Sequence, residues 1–328
     1  MIHTSKNSKT KFVYQDEHGR CIVGIDLSKS TLDVHFCAKS YRFRNNEEGF
    51  KDLLTLIKTE GKPAVVAFES TGAISRPFTR KLIAASIDWI CLQPYMVRSL
   101  IKGLGVYAKT DKIDAEMIAR YVSIVKPRKE HQIHSKQLEM QEIYGAMELL
   151  KRQQASINAA ISSYTDSDVL AGLKQVIEEM EDKIEKMRAR IMDIVRADDE
   201  LQARYKLYIE QPGIGREIAL CLLCHLPELG CFKSRAISAL VGVAPYNRES
   251  GGMKSKRHIF GGRKVVRDML FMAGISIRRC KNGGSVKEFY LHQKAAGKSS
   301  KELAINCAHK ILRILNAKTK EMLTALAM

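Results

Sequence analysis

The first 130 residues alternate short apolar runs of strand type with stretches of helical spacing, and this order constrains the fold more than any other feature. Strand patterns cover Cys21–Asp26, Thr31–Cys37, Tyr41–Arg44, Ala64–Phe68 and Trp89–Leu92. Helical spacing covers Glu47–Thr59, Arg76–Ser86 and Asp111–Val125. The order β-β-β-α-β-α-β-α predicts an α/β domain over residues 21–130, a mixed sheet with helices on its faces.

Four carboxylates occupy distinctive positions in this pattern. Asp26 closes the first strand, Glu69 closes the fourth, and Asp111 and Asp114 lie three residues apart on one helix. The order is that of a ribonuclease-H-like sheet, in which the first and fourth strands are neighbours and this helix packs over their ends. All four groups are then expected to converge and to hold Mg²⁺ or Mn²⁺, which prefer oxygen ligands. Each acid taken singly is weak evidence, because an aspartate after a strand is often a helix cap and Asp111 could cap its own helix.

The middle of the chain, residues 131–204, predicts long helices. From Leu173 to Ile194 the apolar positions are spaced alternately four and three residues apart, as in a heptad seam. An upstream helix over 138–161 is expected to pair with it through the turn Thr165–Ser167. The seam spacing fits an intramolecular helical hairpin and a dimerising coiled coil equally well.

The charge distribution indicates a nucleic-acid partner. The chain carries 54 basic and 36 acidic residues, a net charge of +18. Residues 1–130 have net charge +8, residues 131–204 have −4, and residues 205–328 have +14. Two basic blocks suit phosphate neutralisation, although solubility alone is the alternative. No run is long and apolar enough to span a bilayer, and the polar residues 1–20 predict no secretory signal. A cytoplasmic, nucleoid-associated protein is therefore expected, with its eight cysteines reduced.

The C-terminal block, residues 205–328, is predicted to be mostly helical. The segment 211–215 reads QPGIG between two helical patterns, which is typical of a helix-hairpin-helix that contacts a DNA backbone through Gly213 and Gly215. An ordinary helix joint is the alternative. Cys221, Cys224, His225 and Cys231 form a weak zinc pattern, but an apolar helix makes core cysteines the better interpretation.

Both halves of the chain resemble one known family. The motifs are GID at 24–26, FESTG at 68–72 and KTDKIDA at 109–115, followed by QPGIG at 211–215, GVAP at 242–245, SG at 250–251 and GGR at 261–263. In this order and spacing they resemble the RuvC-like DEDD transposases of insertion sequences 110/1111, to which the Piv-type DNA invertases are related. Ser255 departs from the glycine that many members have there, and residues 1–20 look like an extension.

The resemblance implies a DNA recombinase. In the family the serine corresponding to Ser250 attaches covalently to DNA, and the DEDD carboxylates Asp26, Glu69, Asp111 and Asp114 work beside it with Mg²⁺. Several members are guided by a structured bridge RNA that pairs with donor and target DNA. They act as tetramers in which domains of different subunits complete one active site.

The chemistry is consistent with the residues around the serine. Exchanging one phosphoester for another conserves bond energy, so no nucleotide cofactor is needed. Basic side chains near Ser250 suit a DNA strand held by its backbone; they are Arg248, Lys254, Lys256, Arg257, Arg263 and Arg267.

The expected partners are double-stranded DNA, a guide RNA and further copies of the chain, in a dimer or a tetramer.

Three alternatives stay open at this point. The first is a Piv-type invertase with the same chemistry. The second is a RuvC-like, structure-specific endonuclease that uses water and does not need Ser250. The third is a non-catalytic scaffold that binds nucleic acid and whose acidic cluster has lost its role.

Overall fold

The computed structural model describes residues 12–69, 72–105, 111–127, 135–246, 249–250, 253–254 and 258–326. The side chains at 73, 111, 112, 249, 250, 253 and 254 lie outside this description. The chain divides into two compact units, Met1–Ser135 and Lys136–Met328.

The first unit is built on a five-stranded mixed sheet. The strands are β1 (Cys21–Leu27), β2 (Thr31–Phe36), β3 (Lys39–Arg44), β4 (Ala64–Glu69) and β5 (Trp89–Leu92). They lie in the order β3-β2-β1-β4-β5. The first three form an antiparallel meander, whereas β4 and β5 run parallel to β1. The predicted mixed sheet is confirmed, and its strand boundaries agree with the sequence patterns to within two residues.

Helices cover both faces of the sheet because successive strand residues point to opposite sides. On one face, α1 (Glu47–Thr59) and α2 (Arg76–Ala84) bury Phe50 and Phe78 against strand residues such as Ile25 and Phe68. On the other face lie α3 (Pro94–Gly103), which the sequence analysis did not predict, and α4 (Asp111–Val125). There Ile118 and Val122 pack against residues such as Ile22 and Ala67.

The described residues before β1 attach to the sheet. Gln15 forms an isolated antiparallel bridge with Cys21, and the Ile22 amide donates to the Tyr14 carbonyl. Arg20 forms ion pairs with Asp16 and Asp88. Residues 12–20 are thus part of the first unit, and residues 1–11 lie outside the described part of the chain.

The second unit begins with a long helical hairpin. Its helices are α5 (Ser135–Ala160) and α6 (Ser167–Arg196). The Arg190–Glu139 ion pair and the Gln154–Ile177 hydrogen bond show that they run antiparallel along each other. Asp166 begins α6 by accepting hydrogen bonds from the amides of Asp168 and Val169. The intramolecular pairing expected from the sequence is therefore present.

Six helices and four short strands follow the hairpin in the described part of the second unit. The helices are α7 (Asp199–Ile209), α8 (Arg216–His225), α9 (Ser234–Val241), α10 (Lys264–Ser276), α11 (Gly284–Ala295) and α12 (Ser300–Leu326). Between α9 and α10, β6 (Pro245–Tyr246) pairs with β9 (His258–Ile259), and β7 (Glu249–Ser250) pairs with β8 (Met253–Lys254). The base of the α5–α6 hairpin shares this core through Met140, Tyr144 and Ile191. A domain boundary at 204/205 consequently stays a prediction.

Within the described part of the chain, no helix has the length and apolar character that crossing a membrane requires.

Candidate active site

Strand register places Asp26 and Glu69 side by side. Strands β1 and β4 are parallel neighbours in which Ile25 lies opposite Phe68, so the next residue of each strand is Asp26 or Glu69. Both side chains belong to the face covered by α4, because Gly24 and Ala67, two positions earlier, are on that face. Two carboxylates therefore end neighbouring strands at the same level and on the same side of the sheet.

Helix α4 approaches this edge unusually closely because β1 carries a glycine there. A Cβ at Gly24 would lie 2.2 Å from the Ala115 carbonyl oxygen and 2.8 Å from the Ala119 nitrogen. Asp114 immediately precedes Ala115, whose carbonyl lies against Gly24, and its side chain is half-buried. Asp111 is the first residue of α4, and its side chain is outside the description.

A further carboxylate, which the sequence analysis missed, lies in the same row. Asp33 on β2 is the register partner of Asp26 and is 2% exposed. Its Oδ1 accepts a hydrogen bond of 2.8 Å from Nε of Arg42, its own register partner on β3. The signal was available in the short β1–β2 turn, which sets the register and so brings the two aspartates opposite each other. Arg42 offsets the negative charge that Asp33 adds beside Asp26.

A buried histidine lies next to this row on the α4 face. His35 is the register partner of Gly24, and neither of its ring nitrogens has a hydrogen-bond partner among the described residues. Burial lowers the pKa of His35, so the ring is neutral at pH 7. Nearby, the Tyr14 hydroxyl donates to Glu116 at 3.2 Å. Burial, followed by the Glu116 charge, raises the pKa of Tyr14 to about 12. The sheet beside the carboxylates is thus buried at His35, and burial favours the neutral form of its ring.

The donor set on this face has the chemistry that a hard divalent cation requires. Asp26, Glu69 and Asp114 offer only carboxylate oxygens, which are the ligands that Mg²⁺ prefers. Among the side chains that the structure describes, no three acidic, histidine or cysteine groups converge closely enough to hold an ion. The donor types fit a metal centre, and its coordination geometry stays a prediction.

The nucleophile candidate lies in the second unit. Ser250 is in β7, where its register partner is Met253 of β8. Its side chain and that of Lys254 are not described, and Arg248, Lys256 and Arg257 fall outside the described residues altogether. The expected roles of these five residues stay predictions.

Two of the basic residues predicted to contact DNA have protein partners. Arg263 forms a bidentate pair with Glu228, with both N–O distances 2.6 Å, and also donates to the His225 carbonyl at 2.8 Å. Glu228 is 1% exposed, so this pair has a structural role that weakens the case for Arg263 on DNA. Arg267 donates to the Gly261 carbonyl.

The QPGIG turn joins α7 to α8, and its two glycines differ in surroundings. Gly213 has a φ of +90°, and a Cβ there would lie 2.9 Å from Cδ1 of Ile277. Its carbonyl accepts from the Ser276 hydroxyl at 3.1 Å, so this residue packs against α10. Gly215 is the N-cap of α8 and has open space around it, which leaves it the better candidate for a phosphate contact.

The cysteines of α8 are core residues. Cys221 and Cys224 are fully buried, and burial raises the pKa of both thiols, that of Cys221 to about 12. A thiol with a raised pKa is a poor source of the thiolate that zinc binds. The helix-core interpretation of this pattern is therefore favoured.

Comparisons with known proteins identify the class to which this fold and site belong. Residues 23–188 match a DEDD family of IS110 type described as transposase, and residues 206–291 match the transposase family IS116/IS110/IS902. The protein is thus an enzyme of the DNA recombinase and transposase class. More particularly, the chain belongs to the IS110 family of transposases. It is also 26% identical over 309 residues to the pilin gene-inverting proteins of Moraxella bovis and Moraxella lacunata, covering 89% of this chain and 93% of theirs.

Proposed function

We propose that this transposase cuts and rejoins DNA of a mobile element through a covalent phosphoserine at Ser250, assisted by Mg²⁺ held on a RuvC-like domain. What supports the proposal is that Asp26 and Glu69 end neighbouring strands on one face of the mixed sheet, and that α4, which carries Asp114, packs against β1 at Gly24 on that face. Such an edge can bind one phosphodiester through oxygen-coordinated cations, and transposases act on phosphodiesters.

The chain's own residues divide the chemistry between them. The Ser250 Oγ attacks phosphorus, the Oγ–P bond forms, and the P–O bond to one DNA strand breaks. The serine proton leaves to a base, and the departing strand oxygen takes up a proton. Asp26, Glu69, Asp111 and Asp114 would hold the metal, which when bound supplies positive charge to the crowded phosphate oxygens. Reversal of the same step with another strand end rejoins the DNA.

Residues beside the serine are proposed to hold the DNA strand by its phosphates. Arg248, Lys254, Lys256 and Arg257 lie within seven positions of Ser250 in the sequence. Such contacts position a strand without reading its bases, so target choice must come from elsewhere. We therefore include a guide RNA, which pairs with donor and target DNA, in the proposal. The acting form is proposed to be a homo-oligomer, a dimer or a tetramer.

A second function, inversion of a chromosomal segment, is favoured by one observation. The relatives that match most of this chain are described as pilin gene-inverting proteins. Inversion uses the same cutting and joining steps, and differs in that both sites lie on one molecule in opposite orientation. A plasmid with two sites in inverted orientation, compared with one carrying the element and a separate target, separates the two functions.

A strand-exchange assay with covalent-adduct detection tests the mechanism. Ser250→Ala is expected to abolish joining and the protein–DNA adduct, and Glu69→Gln is expected to reduce both strongly. Ser255→Ala is the matched control, because it removes a hydroxyl from the same glycine-rich segment and should leave activity near that of the parent protein. Hydrolytic cutting that survives in Ser250→Ala would favour a water-using endonuclease. Parent protein that binds DNA but never cuts would favour a scaffold.

A separate measurement tests the guide. Nucleic acid that copurifies with the full chain is sequenced after expression from the element's own locus. A defined structured RNA enriched with the protein supports guidance. Efficient recombination by protein that has been treated with ribonuclease and freed of RNA would contradict it.

A further inference from the structure

A cleft in the second unit lies beside the stem of the segment that carries Ser250. One wall is the two-stranded ribbon of β6 and β9, represented by Pro245, His258 and Ile259, and the other is the start of α12 with the joint before it. The cleft has a volume of about 890 Å³, within the range of small-ligand sites. A smaller cavity of about 300 Å³ adjoins it and shares Val243 and Ile305 in its lining.

The α12 wall carries unbalanced positive charge. Lys298 and Lys301 are exposed and line the cleft. The nearest lining carboxylate, Glu302, accepts hydrogen bonds from the Ser299 amide at 3.0 Å and the Ser299 hydroxyl at 2.9 Å. Because Ser299 in turn accepts from the Glu302 amide, this carboxylate is engaged in a capping box that begins α12. The two lysines are therefore available to an anion such as a phosphate.

The ribbon wall contributes one aromatic ring to the lining of the cleft, that of His258. Its register partner Tyr246 is 46% exposed and lies beside it on the ribbon, outside the lining of the cleft. Aromatic faces of this kind stack on nucleobases with little sequence preference. A base inside a duplex is already stacked on its neighbours, so only an unpaired base can offer its face to such a wall.

The ribbon also limits the distance to the proposed nucleophile. Ser250 follows Tyr246 by four residues, and a fully extended chain of that length spans at most about 14 Å. A strand held at Ser250 thus has its nearest nucleotides within reach of the cleft.

We propose that the cleft between the β6–β9 ribbon and the start of α12 binds an unpaired nucleotide of the DNA strand next to the cut. Its phosphate lies against Lys298 and Lys301, and its base stacks on His258. The site would hold one strand end while a new partner strand is engaged. This assignment rests on the proposed function for the identity of the strand and names a contact which that function does not specify.

The experiment measures binding to two DNA probes by fluorescence anisotropy, with full-length protein carrying Ser250→Ala so that no chemistry intervenes. One probe is a blunt duplex, and the other is the same duplex with a four-nucleotide single-stranded extension. The double variant Lys298→Gln/Lys301→Gln is compared with Lys318→Gln/Lys320→Gln, which removes two exposed lysines near the opposite end of the same helix. All four lysines are exposed, so both variants should fold.

We expect the cleft variant to lose at least fivefold in affinity for the extended probe and to change little on the blunt duplex. Loss of one single-strand phosphate contact should also reduce the salt slope by about 0.7. His258→Ala should leave that slope unchanged and lower the preference for the extended probe about fivefold. Equal losses on both probes, or losses no larger than those of the control, would overturn the proposal. A preference for an RNA extension of the same sequence would overturn the assignment to DNA.

The outcome does not depend on the role of Ser250. A covalent adduct that persists in Ser250→Ala contradicts the proposed mechanism but does not affect the binding comparison. Conversely, the adduct can be lost in Ser250→Ala while the cleft variants bind both probes as well as the control variant does. That result contradicts only the proposal for the cleft.

Discussion

The contact between Gly24 and α4 gives the most direct test of how the carboxylates are assembled. Replacing Gly24 with alanine puts a Cβ 2.2 Å from the Ala115 carbonyl oxygen, which is backbone and cannot rotate away. Restoring an ordinary contact of about 3.4 Å requires α4 to move from β1 by about 1.2 Å. The movement separates Asp114, and Asp111 one turn earlier, from Asp26.

Two consequences follow from a displacement of this size. Overpacking of a buried contact costs about 1–3 kcal/mol of unfolding free energy. A misplacement of about 1 Å in catalytic groups costs roughly 100-fold in rate. We therefore expect Gly24→Ala to fold, with a lower midpoint in urea, and to recombine DNA about 100-fold more slowly while binding it normally.

Gly103→Ala is the matched control for this change. Gly103 ends α3 in the same unit, has no positive φ, and would meet no atom within 4 Å of an added Cβ. Alanine there should be neutral or should stabilise by up to about 1 kcal/mol, with unchanged activity. Parent-like stability and rate in Gly24→Ala would refute the reasoning that this close approach positions the carboxylates.

Further predictions concern the second unit. Ile177 is half-buried and far from the hairpin base, so Ile177→Glu should shift the mass measured by light scattering toward monomer if the hairpin mediates assembly. An unchanged mass for Ile177→Glu would count against assembly through this face of the hairpin. Ile184→Asp should instead unfold the second unit, because Ile184 is 4% exposed within the core of that unit. Arg263→Gln leaves Glu228 buried without its bidentate partner and should lower the unfolding free energy by about 3 kcal/mol. The control Lys264→Gln breaks an exposed pair with Asp268 and should cost at most about 1 kcal/mol. A similar small loss for both variants in chemical denaturation would contradict the structural role of Arg263. Burial acts to raise the pKa of Glu217, but ion pairs with Lys151 and Arg188 outweigh it and hold the pKa below 4.5. The stabilisation that these ion pairs give is therefore present above pH 4.5 and is lost as the pH falls through the lower pKa of the folded state. Glu217→Gln should flatten this acid dependence in thermal unfolding, and an unaltered pH profile would show that Glu217 and its two partners are not its source.

The basic residues show why charge composition identifies a partner more readily than it identifies contacts. The net charge of +18 and the basic C-terminal block agree with an enzyme that handles DNA. Arg263 belongs to that block, yet its guanidinium is held by Glu228, which lies 35 residues away in sequence. The sequence pattern did not indicate a binding role for Lys298 or Lys301, although the fold places both along a cleft. A net charge sums over side chains, whereas a contact depends on which partner the fold brings to each.

The sequence by itself determined most elements of the first unit and the places of Asp26, Glu69 and Asp114 at or near the ends of those elements, because hydrophobic periodicity and turn residues act over a few neighbours. It also indicated the family, through short motifs that follow the family's order along the chain. Only the tertiary structure decided that Gly24 admits α4 against β1 and that the hairpin base shares the core of the C-terminal helices. These features join residues that are distant in sequence, and their energy arises only when whole strands and helices pack, so no local pattern of residues can record them.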